Sequence, residues 1–576
     1  MRPAAVDTEL PPVVPLPDLP GAAPPGLFQG LARRLRKSVG AEDRTQAGVV
    51  LATSRHRLWQ RYGPDGVFAF ERAVGGLVDA MAARGLAGTL AYIDDSPLLA
   101  RLGVLPADAG DAGDAARVVR QLAERLSWTG SVARYVLLLG DDGLMPQHRL
   151  PNPAPEDGDE VLSDHPYAAE ADDPLISHRC VGRIPDAGLE PFLSAIRHAA
   201  AAHEHLAEGC PLPLEPRSFG YSASIWKRSA RDVFATLGQP RALRLSPPLS
   251  HREIPEPGRS GPRFRYFNLH GLVDSPYWFG QRDPSFPADY PLFPVALRPV
   301  DLTPAPGAVV FSEACFGAHI AGRGVRDSVA LTYLAGGATA FVGATGVAYG
   351  GLDGPLVAAD LLAQRFWQAL LSGAPAGDAL VFAKRRLVDE ALAGQGYLDA
   401  EDEKAVLNFV LYGDPSLIHH EPTAWAEAAS FEARSRGAVK RAESVAWVGT
   451  PPARPNQPYP GGPSPGARGA RPPGPGAAKS GGLGRRPRAG GLSAEEMDVV
   501  RRAVAKRLPE FAADGVEMAT AQAPVVRHAK SITGGGPPVV VTMKKASKTC
   551  CGALCRETVR VTVTPGGRIR KVVVSR

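Results

Sequence analysis

The sequence predicts an α/β protein with two consecutive α/β subdomains, followed by a small α+β C-terminal module on a disordered linker. Three observations support this fold class. Between residues 45 and 420, short apolar runs alternate with amphipathic stretches, which is typical of parallel strands joined by helices. Residues 451–490 contain 21 Gly or Pro among 40, a composition that cannot bury enough surface to fold. After them, residues 491–576 regain helix and strand periodicity.

The first two segments of the chain differ sharply in pattern. Residues 1–44 are predicted to be a disordered leader with a short helix near its end, because prolines recur every few positions. Residues 45–211 form the first predicted subdomain, with an acidic stretch at 141–178 that we expect to be a loop lining a substrate cleft. Its predicted strands are 49–53, 89–93 and 135–139, and its predicted helices are 67–83 and 114–127.

The second subdomain, residues 212–425, continues the alternation and is followed by the linker at 426–490. Its predicted strands are 218–222, 264–269, 308–313 and 338–343, and its predicted helices are 326–335, 355–372, 376–394 and 402–411.

Residues 491–576 are predicted to form the small module. Ser493 and Glu496 have the spacing of a capping box, which predicts that a helix begins there. Strands are predicted at 539–543, 559–564 and 569–574, and the turn residues at 564–568 predict a hairpin between the last two.

Two strands of the second subdomain stop at chemically reactive residues. The run from Phe264 ends at His270-Gly271, and the run from Val309 ends at Cys315. Because ligands bind outside the carboxyl ends of strands in open α/β sheets, neighbouring strands would bring the imidazole and the thiol to one edge. A nearby imidazole promotes the thiolate, which is the nucleophilic form of cysteine. The alternatives are a buried core cysteine and a structural histidine.

The motif Glu313-Ala-Cys-Phe-Gly317, with His270-Gly271 upstream, resembles the caspase-like cysteine peptidases, and most closely their gingipain-like family. The resemblance covers residues 45–420, so the second subdomain is expected to be caspase-like. It also rests on Val136-Leu-Leu-Leu-Gly-Asp141, Ser163-Asp-His-Pro-Tyr-Ala168, Val181-Gly-Arg-Ile-Pro185 and Tyr412-Gly-Asp-Pro-Ser-Leu417.

The resemblance implies a cysteine endopeptidase that works through an acyl-enzyme and needs no cofactor, and analogy with the family leaves a structural calcium open; no metal-binding residues are predicted. Cys315 would be the nucleophile and His270 the base, with the backbone N–H groups of Gly271 and Cys315 as the oxyanion hole. The family's acidic partner for the histidine has no carboxylate counterpart at 221–224, so the third residue stays open. Glu313 could contact substrate or form a structural ion pair.

Specificity in this family comes from a pocket for the side chain before the scissile bond. Caspases prefer aspartate there and gingipains prefer arginine or lysine. The arginines of the linker favour cleavage after basic residues, including self-processing, because a carboxylate in the pocket would select such side chains. The candidate pocket residues are Asp232, Asp274, Asp283 and Asp353, together with Tyr349 in loop 345–354, which matches a pocket wall of the family.

The net charge of +6 conceals two oppositely charged parts. Residues 426–576 hold 26 Lys and Arg against 10 Asp and Glu, whereas residues 1–425 hold 39 against 49. A basic tail on an acidic body predicts that the two parts bind each other or that the tail binds an acidic protein partner, unless the charge only aids solubility. Aromatic residues are not interleaved with these charges, so nucleic-acid binding is not expected.

The remaining signals concern location and thiol chemistry. No apolar window long enough for a signal peptide core or a membrane span is visible, so we expect a cytoplasmic protein that does not bind membranes. Cys550, Cys551 and Cys555 with His528 could bind zinc, but their spacing favours a loop with partly exposed thiols. A catalytically silent scaffold that binds partners through its basic tail is the alternative function.

Overall fold

The computed structural model describes residues 46–420 and 492–576, and the predicted leader and linker lie outside the described residues, as does His528. The short gaps within the described ranges are at 96, 128–130, 171–172, 210–217, 255–262, 513, 523–537 and 565–566.

The first subdomain alternates strands with long helices. Helix α1 begins at Arg55 because the Ser54 hydroxyl accepts the Arg57 N–H at 3.1 Å. The strands are β1 Gln46–Thr53, β2 Ala87–Tyr92, β3 Ser131–Leu139, β4 His148–Pro151, β5 Glu160–Ser163, β6 Ala169–Glu170, β7 Asp173–Ser177 and β8 Cys180–Ile184. The helices are α1 Arg55–Ala83, α2 Pro97–Leu102, α3 Ala112–Ser127 and α4 Leu189–Ala207.

The second subdomain repeats the alternation with shorter strands. Its strands are β9 Ser218–Ala223, β10 Arg244–Ser246, β11 Phe264–Asn268, β12 His270–Gly271, β13 Trp278–Phe279, β14 Val295–Leu297, β15 Val309–Ser312, β16 Ala340–Ala344, β17 Tyr349–Gly351 and β18 Phe409–Gly413. Its helices are α5 Lys227–Phe234, α6 Val329–Ala335, α7 Ala358–Leu371, α8 Ala376–Gln395 and α9 Ala400–Asn408.

One ten-stranded sheet runs through both subdomains, in the order β10-β9-β11-β15-β16-β18-β8-β3-β1-β2. Strand β18 is antiparallel to β16 and parallel to β8, which it meets through Tyr412 opposite Arg183. Separate clusters of buried apolar side chains pack the sheet against its helices. The α/β class predicted from the sequence is therefore confirmed.

The C-terminal module builds a second sheet that takes one strand from the second subdomain. The module consists of α10 Ala494–Ala505, β19 Glu517–Gln522, β20 Val539–Lys548, β21 Leu554–Val563 and β22 Ile569–Ser575. The order in this sheet is β17-β22-β21-β20-β19, so β17 pairs with the module. The predicted capping box at the start of α10 is confirmed, since Ser493 and Glu496 bond each other's backbone N–H.

Several elements differ from the sequence prediction; for example, residues 141–178, which were predicted to be a loop, contain strands β4 to β7. The helix predicted at 402–411 ends at Asn408 and is followed by β18, because a continuous apolar run does not distinguish a buried helix from a buried strand. Strand β19 was not predicted, because its side chains are nearly all exposed and show no apolar alternation. No helix among the described residues is both long and apolar enough to cross a membrane.

Buried ion pairs join the basic module to the acidic body. Lys571 Nζ lies 2.7 Å from Asp399 and 2.9 Å from Asp402, and Arg560 Nε lies 2.6 Å from Glu401. The predicted binding of the two parts to each other is thus present within the described residues.

Candidate active site

Strands β11 and β15 bring His270 and Cys315 to the same edge of the large sheet. The two strands are parallel neighbours, with Phe264 opposite Val309. Just beyond their ends, a Cβ added to Gly271 would lie 1.8 Å from the Cys315 carbonyl oxygen. The structure therefore places the two predicted residues side by side, and only glycine at 271 allows the backbones to approach so closely.

Cys315 lies in a tight turn directly after β15. The next residue, Phe316, has a φ of 55°, which turns the chain sharply away from the sheet. The Ala348 backbone N–H donates to the Cys315 Sγ at 3.3 Å. Burial raises the pKa of the Cys315 thiol to about 12, although hydrogen bonding from the Ala348 and Arg576 backbones acts in the opposite direction. The thiol is therefore protonated at neutral pH in this arrangement.

His270 is fixed by one hydrogen bond and two aromatic rings. Its Nε2–H donates to Gln281 Oε1 at 2.8 Å, so Nδ1 keeps the lone pair of the neutral ring. The ring centroid lies 4.5 Å from that of Trp226 and 5.1 Å from that of Phe293. Burial lowers the pKa of His270 to about 3, so the imidazole is neutral at pH 7.

Gln281 is a contact of His270 that sequence reasoning missed. Its Nε2 donates to Glu510 at 2.8 Å and to Glu557 at 2.7 Å, and both carboxyl groups belong to the C-terminal module. Burial raises the pKa of Glu510 and of Glu557. The sequence carries no signal for this chain of contacts, because its members are 229 and 276 positions apart.

A buried acidic pocket holds the side chain of Arg576. The Asp360 carboxylate oxygens accept from Arg576 Nη2 at 2.6 and 2.7 Å, and Glu313 Oε2 lies 3.6 Å from Nε. The guanidinium carbon lies 4.3 Å from the centroid of the Trp226 ring. A charge-assisted ion pair and a cation–π contact together suit a guanidinium better than any other side-chain group.

Backbone geometry makes room for that guanidinium. Asp360 lies in the first turn of α7, and its Oδ2 accepts the Gly351 N–H at 2.5 Å. A Cβ at Gly350 would lie 2.0 Å from Arg576 Nη2, so glycine at this position leaves the space that the side chain fills. Glu313 forms the other wall, and its pKa is raised well above the usual range by burial and by Asp360.

The main chain of Arg576 lies against the nucleophile turn. Its N–H donates to the Ala348 carbonyl at 2.9 Å, and its carbonyl oxygen accepts the Cys315 N–H at 3.2 Å. Before it, β22 pairs antiparallel with β17, with Ser575 opposite Tyr349. The Cys315 N–H, predicted to face the oxyanion, thus meets the carbonyl of the residue in the pocket. The other predicted donor, the Gly271 N–H, belongs to β12, which pairs with β13.

The residues predicted to line the substrate pocket do not contact the Arg576 guanidinium. Asp232 and Asp274 are exposed, Asp283 pairs with Lys227 at 2.5 Å, and Asp353 pairs with Arg228 at 3.1 Å. Tyr349 lies in β17 and donates its hydroxyl to Asp157 at 2.5 Å instead of stacking on the guanidinium. Asp360 was missed, because an aspartate in the first turn of a helix is ordinary in any sequence.

The described thiols do not form a metal site. Cys550 and Cys551 are exposed and Cys555 is buried. Within the described ranges, no three His, Cys, Asp or Glu side chains are grouped to hold a metal ion.

Comparisons with known proteins point to one family. Residues 307–419 match the family model of peptidase family C25. The comparison with curated proteins found no match.

Three solved structures are similar to the chain. The Arg-specific cysteine proteinase gingipain R (RgpB) is 14% identical, over 66% of this chain and 79% of that one, with a TM-score of 0.43. A complex of the RgpB pro- and mature domains from Porphyromonas gingivalis is 13% identical, and the match covers 65% of this chain and 79% of that chain with a TM-score of 0.42. A further protease structure is 9% identical, and the match covers 67% of this chain and 81% of that chain with a TM-score of 0.44.

The family match spans the part of the chain that carries the thiol. It runs from just before β15 to just beyond β18, and so includes Cys315 and Asp360. Peptidases of this kind take protein chains as substrates. Over residues 307–419 the chain is therefore similar to peptidase family C25, and this match supports a cysteine peptidase, a hydrolase of peptide bonds.

Proposed function

We propose that this peptidase cleaves protein chains after arginine, with Cys315 as the nucleophile and His270 as the base. The observation that carries the proposal is the position of Arg576. Its guanidinium lies on Asp360 while its carbonyl oxygen accepts the Cys315 N–H. A substrate arginine held in the same way would present its carbonyl carbon to the nucleophile turn.

The reaction is an acyl transfer through a thioester. As Cys315 Sγ attacks the carbonyl carbon, its proton passes to His270 Nδ1, and the Cys315 N–H stabilises the oxyanion. The C–N bond then breaks, and His270 gives the proton to the leaving amine. Water attacks the thioester with His270 again as base, which releases the new carboxylate and restores the thiol. The hydrogen bond to Gln281 keeps the His270 ring in the tautomer with a free lone pair on Nδ1, which these proton transfers require.

The pocket explains the choice of side chain. Asp360 binds through the terminal nitrogen of the guanidinium, and Trp226 covers its flat face. Lysine would bring a compact ammonium that cannot use both contacts equally well. The Asp360 carboxylate would repel an aspartate side chain, and Glu313, whose pKa burial raises, would offer it no positive charge.

A positional peptide library tests this specificity. With the full chain, we expect cleavage after arginine to exceed cleavage after lysine at least tenfold, and no cleavage by Cys315→Ala. Labelling by an arginyl acyloxymethyl ketone should likewise depend on Cys315. Preferred cleavage after aspartate would contradict the proposed specificity, and no labelling of either the wild type or Arg576→Ala, which empties the pocket, would favour the silent scaffold.

Self-processing is a further part of the proposal. Arginines at 468, 471, 485, 486 and 488 lie in the Pro- and Gly-rich stretch that precedes the module. We expect the wild-type chain, but not Cys315→Ala, to produce fragments that end at one of these arginines during incubation. Mass spectrometry of the fragments is the measurement. An intact stretch beside efficient cleavage of arginyl peptides would rule out self-processing.

A further inference from the structure

The C-terminal strand occupies the cleft in the way a bound peptide would. Strand β22 adds to the edge of β17 by antiparallel pairing, with Val573, Val574 and Ser575 opposite Gly351, Gly350 and Tyr349. This is the usual way in which an extended peptide binds to an exposed strand. Arg576, the residue that follows β22, then fills the acidic pocket.

We propose that strand β22 with Arg576 is a built-in inhibitor that occupies the cleft as a substrate strand with an arginine would, and that the peptidase acts on other proteins only when this strand leaves. The proposal rests on the proposed function, because it assigns the pocket around Asp360 to the arginine of a substrate.

Occupation by Arg576 excludes a second arginine. The Arg576 side chain is fully buried, and Asp360, Trp226 and the Gly351 carbonyl enclose the guanidinium. The Cys315 N–H, which a substrate carbonyl would need, is already bonded to the Arg576 carbonyl oxygen. Arg576 therefore blocks both the pocket for the substrate side chain and the Cys315 N–H that would stabilise the oxyanion.

The remainder of the module holds the strand in place. Trp226 and Leu352 of the body share one buried apolar cluster with Val500, Phe511 and Val574 of the module. The ion pairs of Lys571 and Arg560 with the body lie at the same interface and are buried. Release of β22 therefore requires either that the module moves with it or that the strand separates from β21.

The inhibitor is effective because strand β22 and the cleft belong to the same polypeptide chain. A ligand that belongs to the same chain as its binding site acts at an effective concentration on the order of millimolar. A substrate present at micromolar concentration would displace it rarely. We therefore expect slow turnover by the wild-type chain, limited by how often the strand leaves.

The test compares full-length variants on a short arginyl peptide with a fluorogenic leaving group. Arg576→Ala removes the pocket contact, and Arg576→Lys weakens it while keeping a cation. Arg568→Ala changes an exposed arginine just before the same strand and is the matched control. We expect kcat/KM to rise at least tenfold in Arg576→Ala, to rise by less in Arg576→Lys, and to stay at the wild-type value in Arg568→Ala.

The outcomes separate the two proposals. Equal turnover of the arginyl peptide by wild type and both Arg576 variants would overturn the inhibitor and leave the peptidase intact. Absence of turnover and of Cys315 labelling in every variant would overturn the peptidase specificity and the inhibitor with it. If circular dichroism shows that Arg576→Ala is unfolded, Arg576→Lys decides alone, and a rate no higher than wild type overturns the inhibitor.

Discussion

The backbone N–H of Cys315 donates a hydrogen bond of 3.2 Å to the carbonyl oxygen of Arg576. Through this contact, the chain's own arginine lies where the proposed reaction places the arginine of a substrate. The same residue directly follows β22 of the basic module, so both proposals, substrate recognition and inhibition, involve one pocket.

Asp360→Asn should abolish most of the preference for arginine. The substitution keeps the shape of the pocket but removes the charge that meets Nη2. Loss of a buried charge-assisted pair costs about 2–4 kcal/mol, so in an Arg576→Ala background, where no internal arginine competes for the pocket, kcat/KM for arginyl peptides should fall about 30- to 1000-fold. Steady-state kinetics is the measurement. Asp274→Asn, which changes an exposed aspartate outside the Arg576 pocket, should have wild-type kinetics.

Alkylation of Cys315 should be slow at neutral pH and should accelerate steeply in alkali. Because burial raises the pKa of this thiol to about 12, the thiolate fraction grows about tenfold per pH unit below that value. Iodoacetamide labelling between pH 7 and 9, followed by peptide mapping, should show exposed Cys550 and Cys551 modified well before Cys315. Equal rates at all three positions would contradict the buried, occupied cleft.

Gln281→Leu should lower kcat about 10- to 100-fold with little change in KM, because Gln281 acts through the proposed base and does not contact substrate. Its hydrogen bond raises the pKa of His270, so its loss should lower that pKa further. The acidic limb of the kcat profile should therefore move to lower pH. A shift in melting temperature with an unchanged pH profile would indicate a purely structural role. Gln239→Leu, on the surface, is the control.

Lys384→Met should stabilise the protein. Burial lowers the pKa of Lys384 to about 7, below the value near 10.4 of an exposed lysine. Between these two pKa values, the unfolded chain binds more protons than the folded chain. The free energy of unfolding of the wild type should therefore rise with pH from about 7 to 10.

Urea unfolding at pH 7 and pH 9 measures both effects. Lys384→Met should raise the free energy of unfolding at pH 7 by on the order of a few kcal/mol. In this variant, the rise in the free energy of unfolding that Lys384 causes between about pH 7 and 10 should be absent. Lys548→Met, at an exposed position of β20, should leave stability and its pH dependence unchanged. A destabilised Lys384→Met would show that the ammonium is well compensated inside the protein.

The sequence alone determined the features that depend on local pattern. Apolar runs and amphipathic spacing predicted the α/β class and most strands near the site, because burial of one face leaves a periodic trace. The ends of β11 and β15 identified His270 and Cys315, since glycines and reactive side chains directly follow those runs. The charge difference between tail and body predicted that the two parts could bind each other.

Only the tertiary structure decided which residues meet in the cleft. Asp360 stands in an ordinary first helical turn, and Gln281 and Arg576 belong to segments far apart in the chain. The pairing of β22 with β17, which brings Arg576 to Asp360, joins a three-residue strand to the last strand of another module. Such long-range contacts leave no periodicity in the sequence, because they depend on how whole elements pack and not on the spacing within one element.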